Sequence, residues 1–518
     1  MSHPAPSTSS IQSTERIGQR ASTGESEQQN SHIASIHVLD DDSLLNVFYL
    51  YRPFLLGEDE DDNARLFGGT GAWVRGRWWY RLAHVCQRWR NLIFGSASYL
   101  GLSLVCTNGT PIADMLAHSP LLPLVIDYGD ITAAEDEEGA ILALRQRGRL
   151  RCIRVDMPAS NLQKLIVAID DEYPILEYLI IASPIEDHIM TLMIPETFQA
   201  PHLRHLTLIG FALPIGSRLL TTAVGLVTLC LRMDHPSTYF HPNTLLQWLS
   251  FMPQLETLVI YFRSPVSSHD LERQLTHTPI TTPVTLSNLH YVRFRGVNTY
   301  LEAIVRRITT PRLEKLRIDF FSQLTFSLPR LLQFMTRFMN TTENLRFESA
   351  KFGFFKGRVY VEVRPHGEAE NLELALSINV CVQHLDWQVS SVARIFRSLS
   401  QIFSAVEHLT LEHEEHSLSS EEHNDVDRTE WRKLLGAFRN VKTLRIDDGL
   451  VEQLSRCLQL DDGERPLELL PELRELTYSG SGNTSDAFSS FIDARQNAGR
   501  PVTLVRPQLK PTPFRVVL

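Results

Sequence analysis

Imidazoles and carboxylates can share a metal ion. The chain gathers them most densely in Glu412-His-Glu-Glu-His416 and Glu421-Glu-His-Asn-Asp-Val-Asp427, which contain His413, His416 and His423. The His-Glu-Glu-His order lacks the His-Glu-x-x-His spacing that sets two ligands on one helical face, and the set matches no closed zinc site. The stretch reads as an acidic exposed loop inserted between ordered segments. Gly68-Gly-Thr-Gly71 could in principle cradle a phosphate, but the third glycine is missing and no Lys-Ser/Thr follows. No nucleophile elbow, kinase signature or phosphate-binding loop occurs. The sequence thus points to no catalytic residue, no cofactor and no bound metal, and a non-enzymatic protein is expected.

The 518 residues exceed what one hydrophobic core fills, so several folding units or a repeat array without a single centre are required. Hydrophobic residues are 43% and charged residues 21%, ordinary for a folding chain. A net charge of -10, from 50 Lys+Arg against 60 Asp+Glu, argues against wholesale nucleic-acid binding. Cys86, Cys106, Cys152, Cys230, Cys381 and Cys457 form no C-x-x-C pair and read as small core residues in a reducing compartment. No stretch approaches the ~18 apolar residues of a membrane span. An intracellular protein, cytoplasmic and/or nuclear, with neither a nucleic-acid nor a membrane partner, is the expectation.

Residues 1–34 are rich in Ser, Thr, Gln and Pro and are expected to form a disordered tail. Residues 35–104 read as a helical module. Asp40, Asp41, Asp42 and Ser43 supply acceptors for the start of a helix over 41–51, and Trp78, Leu82, Val85, Cys86, Trp89, Leu92 and Ile93 predict a second helix with one buried stripe. Between them, residues 51–77 combine an acidic run with glycines and predict an inserted exposed loop.

The larger signal is Leu-x-x-Leu-x-Leu. It recurs at Leu150-Ile153-Val155, Leu176-Leu179-Ile181, Leu203-Leu206-Leu208, Leu226-Leu229-Leu231, Leu255-Leu258-Ile260, Leu289-Val292-Phe294 and Leu313-Leu316-Ile318. After a 69-residue gap come Val382-Leu385-Trp387, Val406-Leu409-Leu411, Val441-Leu444-Ile446 and Leu473-Leu476-Tyr478. The spacing is near or above that of leucine-rich repeats, so residues 105–505 are expected to form an irregular α/β solenoid with inner parallel strands and outer helices. Helices are expected near His241–Phe251, Val297–Ile308 and Val389–Phe403, with extra strands near 344–376 and a tail over 506–518.

Leu39-Asp-Asp-Asp-Ser-Leu-Leu45 with Val47-Phe48, then Val85-Cys86-Gln-Arg-Trp89-Arg90-x-Leu92, resembles an F-box, and is similar to the F-box-like proteins expanded in basidiomycete fungi, which carry irregular repeats. The resemblance implies docking to the Skp adaptor of a cullin-RING ubiquitin ligase through Leu39, Leu44, Leu45, Val47, Phe48, Val85, Cys86, Trp89, Arg90 and Leu92. The protein would then hold an unknown protein target for ubiquitination. Asp40 stands where the family usually has proline, and the two halves are unusually far apart. The alternative is a helical cap on an interaction scaffold that meets no ligase.

In each repeat the residues beside the fourth position should face away from the core. They are Arg154, Tyr178, His205, Thr207, Thr228, Thr257, Tyr291, Arg293, Lys315, Arg317, Thr443 and Arg445, with Arg295 just beyond. Tyr291, Arg293, Arg295, Lys315 and Arg317 make the middle basic, which suits an acidic or phosphorylated target. Alternatively they are solvated strand residues offset by Asp319.

Overall fold

A computed structural model describes residues 38–52, 77–128, 137–183, 192–214, 216–265, 283–323, 326–341, 347–365, 376–413, 426–459, 468–478 and 486–505. The tails over 1–34 and 506–518, nearly all of the inserted loop, and His416 and His423 lie outside these residues. The chain divides into two compact units, Met1–Tyr51 and Arg52–Leu518.

The first unit contributes helix α1, Asp41–Tyr51. Asp40 Oδ1 accepts from Ser43 N at 2.7 Å, and Asp41 and Asp42 in the first turn complement the helix dipole. The helix starts where those acceptors predict.

The second unit opens with α2 (Trp78–Ala83), α3 (Gln87–Gly95) and α4 (Ala97–Leu100). The single helix expected across Trp78 to Ile93 is in fact two. His84 N and Val85 N close tight turns onto Arg81 O and Leu82 O, and Cys86 restarts the helix as the extended N-cap of α3. The break changes which side chains are inside. Trp79, Ala83, Trp89 and Ile93 are buried, whereas Val85 is 58% exposed and Trp78, Leu82, Cys86 and Leu92 are half-buried.

One sheet runs through the rest of the unit. Its strands are β1 (Leu104–Thr107), β2 (Leu124–Tyr128), β3 (Leu150–Asp156), β4 (Tyr178–Ala182), β5 (His205–Ile209), β6 (Thr228–Met233), β7 (Thr257–Phe262) and β8 (Tyr291–Gly296). They continue as β9 (Lys315–Phe321), β10 (Phe347–Phe355), β11 (Arg358–Pro365), β12 (Leu376–Cys381), β13 (His408–His413), β14 (Thr443–Ile446), β15 (Glu475–Tyr478) and β16 (Thr503–Val505). Strands β1 to β9 pair in chain order, and so do β13 to β16, all parallel.

The repeat leucines explain the register. Ile153, Leu179, Leu206, Leu229, Leu258, Val292 and Leu316 are successive partners across β3 to β9, and Val155, Ile181, Leu208, Leu231, Ile260, Phe294 and Ile318 form a second row. Every one is buried. A one-residue slip would turn both rows to solvent, so each repeat locks the next. Helices such as Pro242–Leu249, Asn298–Val305 and Leu385–Ser398 return the chain between strands, as expected at those places. The arrangement is leucine-rich repeat-like. Among the described residues no helix is long and apolar enough to cross a membrane.

Two expectations change within the array. Val382-Leu385-Trp387 is no strand: helix Leu385–Ser398 begins there, and the strand is β12, just before it. Asp386 in the first turn and buried Leu385, Val389, Val392 and Phe396 show a helical period overriding the motif. The 69-residue gap holds an insertion in the sheet, ordered β9, β12, β11, β10, β13, in which β11 alone runs antiparallel to its neighbours. Gly353 on β10 permits that pairing, because a Cβ there would lie 2.0 Å from the ring of Tyr360, its partner on β11. Strands β1 and β2 precede the repeats read from the sequence, although Leu121, Leu124 and Ile126 carry the same spacing into β2.

Candidate functional site

Helix α1 carries five of the docking candidates or lies beside them. Leu44 and Phe48, one turn apart, are buried; Leu45 is half-buried; Leu39 and Val47 are exposed. Leu50 and Tyr51 are also exposed, at 80% and 56%. Positions 47, 50 and 51 follow the i, i+3, i+4 spacing of one helical face, so an exposed apolar strip flanks the buried pair.

In the second half of the candidate set Val85 and Arg90 are exposed, and Cys86 and Leu92 are half-buried. Trp89 is buried. Arg90 donates from Nε to Ala83 O at 3.0 Å, satisfying a carbonyl left open where α2 ends. Trp79 donates to Ser103 O at 3.2 Å and packs edge-on against Phe94 at 5.6 Å. Arg77 reaches β1, donating to Val105 O at 3.1 Å and bonding Thr107 and Thr110. Trp79 and Arg77 therefore tie α2 to the start of the sheet, a role the sequence did not suggest.

The second site is the sheet face opposite the leucine rows. Here Arg293 partners Arg317 across β8 and β9, and Arg295 partners Asp319. Asp319, 6% exposed, lies 3.6 Å from Arg293 Nε and accepts from Asn379 Nδ2 on β12. Arg295 lies over the ring of Tyr261 at 4.6 Å, bonds its hydroxyl, and lies 5.4 Å from the ring of Phe321. Arg232, on the far side of Tyr261, is 5.1 Å from the same ring and is held by Asp234 at 3.0 Å.

The five target-binding candidates, Tyr291, Arg293, Arg295, Lys315 and Arg317, therefore share one face, all half-buried. They are not simply solvated strand residues. The Nε atoms of Arg295 and Arg317 are buried without an acceptor among the described residues. Asp319 offsets one of three neighbouring guanidiniums, and the face keeps a positive excess inside a chain of net negative charge. Asp319 was already legible as an offsetting charge, whereas Tyr261 is a neighbour of the cluster that repeat spacing alone could not reveal.

Toward the start of the sheet this face is more buried, whereas Arg445 near its other end is exposed. Asp127 and Arg154 form a buried pair at 3.6 Å, so Arg154 contributes no accessible charge. Tyr178 stacks on His205 at 4.5 Å, and burial, then Arg204, lowers the His205 pKa. Burial raises the thiols of Cys106 to about 11 and Cys230 to about 12, leaving both protonated and unreactive at neutral pH.

Of the histidine cluster, His413 is described, at the end of β13. Among the described residues Glu348, Glu407 and His408 come close enough to share an ion, but Glu407 is engaged by Lys442 at 2.5 Å and His408 by Thr443 at 2.7 Å.

No family model matches the chain, and no curated protein matches it. Among solved structures it is similar to the leucine-rich repeat-containing protein LegL7 from Legionella pneumophila, at 10% identity and a TM-score of 0.24 over 78% of this chain and 99% of that one.

Proposed function

We propose that the protein is a binding adaptor and not an enzyme: helix α1 and its helical neighbours in sequence dock a Skp-type adaptor of a cullin-RING ubiquitin ligase, and the repeat sheet holds a protein target. The observation that carries the docking half is the solvent-exposed apolar strip of Val47 and Leu50, continued by Tyr51, beside buried Leu44 and Phe48. Helix faces of this kind bind apolar grooves or partner helices. Its position in the F-box-like segment supplies the partner.

The target half rests on the guanidinium cluster. Buried arginine N–H groups without acceptors favour a ligand that brings its own anionic oxygens, so an acidic or phosphorylated segment is the proposed target chemistry. The ties from Arg77 and Trp79 to the sheet support a second reading, in which the helices only cap the array and the protein is a scaffold outside any ligase.

Co-purification of the full chain with a Skp-type adaptor separates the two. Wild type should capture the adaptor, and Leu50→Asp should lose it with an unchanged circular dichroism spectrum. No capture by wild type leaves the scaffold reading.

A further inference from the structure

A second cationic feature lies in the helical layer, away from the arginines of the sheet face. Helices Leu385–Ser398 and Arg428–Leu435 are neighbours in that layer, and a groove of about 580 Å³ runs along their C-terminal ends. Arg397, Arg432, Lys433 and Arg439 line it, and no carboxylate among the described residues does.

Cations at helix C-termini complement the dipole, which accounts for Arg397, Arg432 and Lys433. It does not account for Arg439, which lies beyond its helix. Lys433 is held by Glu430 at 2.6 Å. Arg397 and Arg439 form no ion pair or hydrogen bond among the described residues, although Glu468 shares an adjoining hollow with Arg439. Two unengaged arginines, one on helix Leu385–Ser398 and one just past helix Arg428–Leu435, thus line a groove that no carboxylate among the described residues lines. The Ser400 hydroxyl, also in the lining, is likewise unengaged.

We propose that this groove binds a small soluble anion carrying at least two phosphate groups, one held by Arg397 and one by Arg439. Guanidinium groups match phosphate oxygens bidentately, and two of them from separate chain segments suit an anion with two phosphate groups. The volume lies within the range of about 300–1,000 Å³ typical of small-molecule sites. A bilayer surface is the poorer fit, because Ala437 is the one apolar side chain of the lining and it is buried.

Calorimetric titration of the full chain with inorganic tripolyphosphate tests the site, with sulfate at matched ionic strength as reference. Saturable binding of tripolyphosphate, well above sulfate, is expected, and R397Q/R439Q should weaken it by at least about tenfold for the lost charged hydrogen bonds. A variant reversing Arg293 and Arg317 to Glu should bind as wild type does, which separates this groove from the sheet face. Both groove arginines are exposed, so folding should persist; should the double variant unfold, R397K/R439K, which keeps the charge but loses the bidentate geometry, should bind several-fold more weakly. Failure of wild type to saturate, equal response to sulfate, or undiminished binding by the substituted groove overturns the proposal. So does Arg397- and Arg439-dependent sedimentation with phosphatidylcholine vesicles containing phosphatidic acid in the absence of tripolyphosphate binding.

Discussion

Arg293 on β8 and Asp319 on β9 form a diagonal pair at 3.6 Å, with side chains only 12% and 9% exposed. The carboxylate meets the Arg293 guanidinium and the Asn379 amide, so it organises the face as well as neutralising part of it. Asp319→Ala should lower unfolding stability by about 3 kcal/mol, the scale for breaking a buried pair from one side. In a double-mutant cycle with Arg293→Ala, a coupling of about 1 kcal/mol or more is expected from denaturant midpoints. Additive effects would mean that the two charges do not interact.

Burial on α1 distinguishes two leucines only six positions apart. Leu44→Asp would place a charge at a fully buried site, whereas Leu50 is 80% exposed. The first substitution should lose a melting temperature step that the second retains, read by differential scanning fluorimetry. Equal stability of the two variants would contradict the burial of Leu44.

The stack of His205 on Tyr178 gives a pH signature. Burial lowers the histidine pKa below its ordinary 6.5, so the unfolded chain binds the proton more readily than the folded one. The contribution of His205 is therefore constant above about pH 6.5, and stability falls as pH drops below that value. His205→Gln should flatten the stability profile between about pH 6.5 and 5 in urea titrations.

Near the C-terminus, Arg495 is fully buried and donates to Leu470 O, Leu473 O and Pro471 O at 3.1, 2.9 and 3.1 Å. These bonds hold the turn before β15, where Leu470 takes a positive φ of 49°. Arg495→Met should strand three carbonyls and cost about 3 kcal/mol or more. Because repeats couple mainly to neighbours, hydrogen exchange should accelerate over β15 and β16 while β3 to β9 stay protected.

The sequence by itself determined the parallel array from Leu150 to Ile318 and again from Leu409 to Tyr478. A leucine spacing that alternates in a strand and recurs once per repeat buries both rows only in one register, so local pattern and global fold coincide. It also set the start of α1, where Asp40 and the acids behind it act within one turn. Tertiary structure decided the rest. The break at His84 to Cys86 leaves Trp79 and Trp89 buried and Val85 exposed, and at Val382-Leu385-Trp387 packing decided between two periods that the sequence carries, burying the helical set Leu385, Val389, Val392 and Phe396. The reversed strand β11 depends on Gly353 meeting Tyr360, and the partners of Arg293 and Arg295 come from strands 24 to 34 residues away in sequence. Pairings of that range depend on register between repeats, which no single repeat encodes.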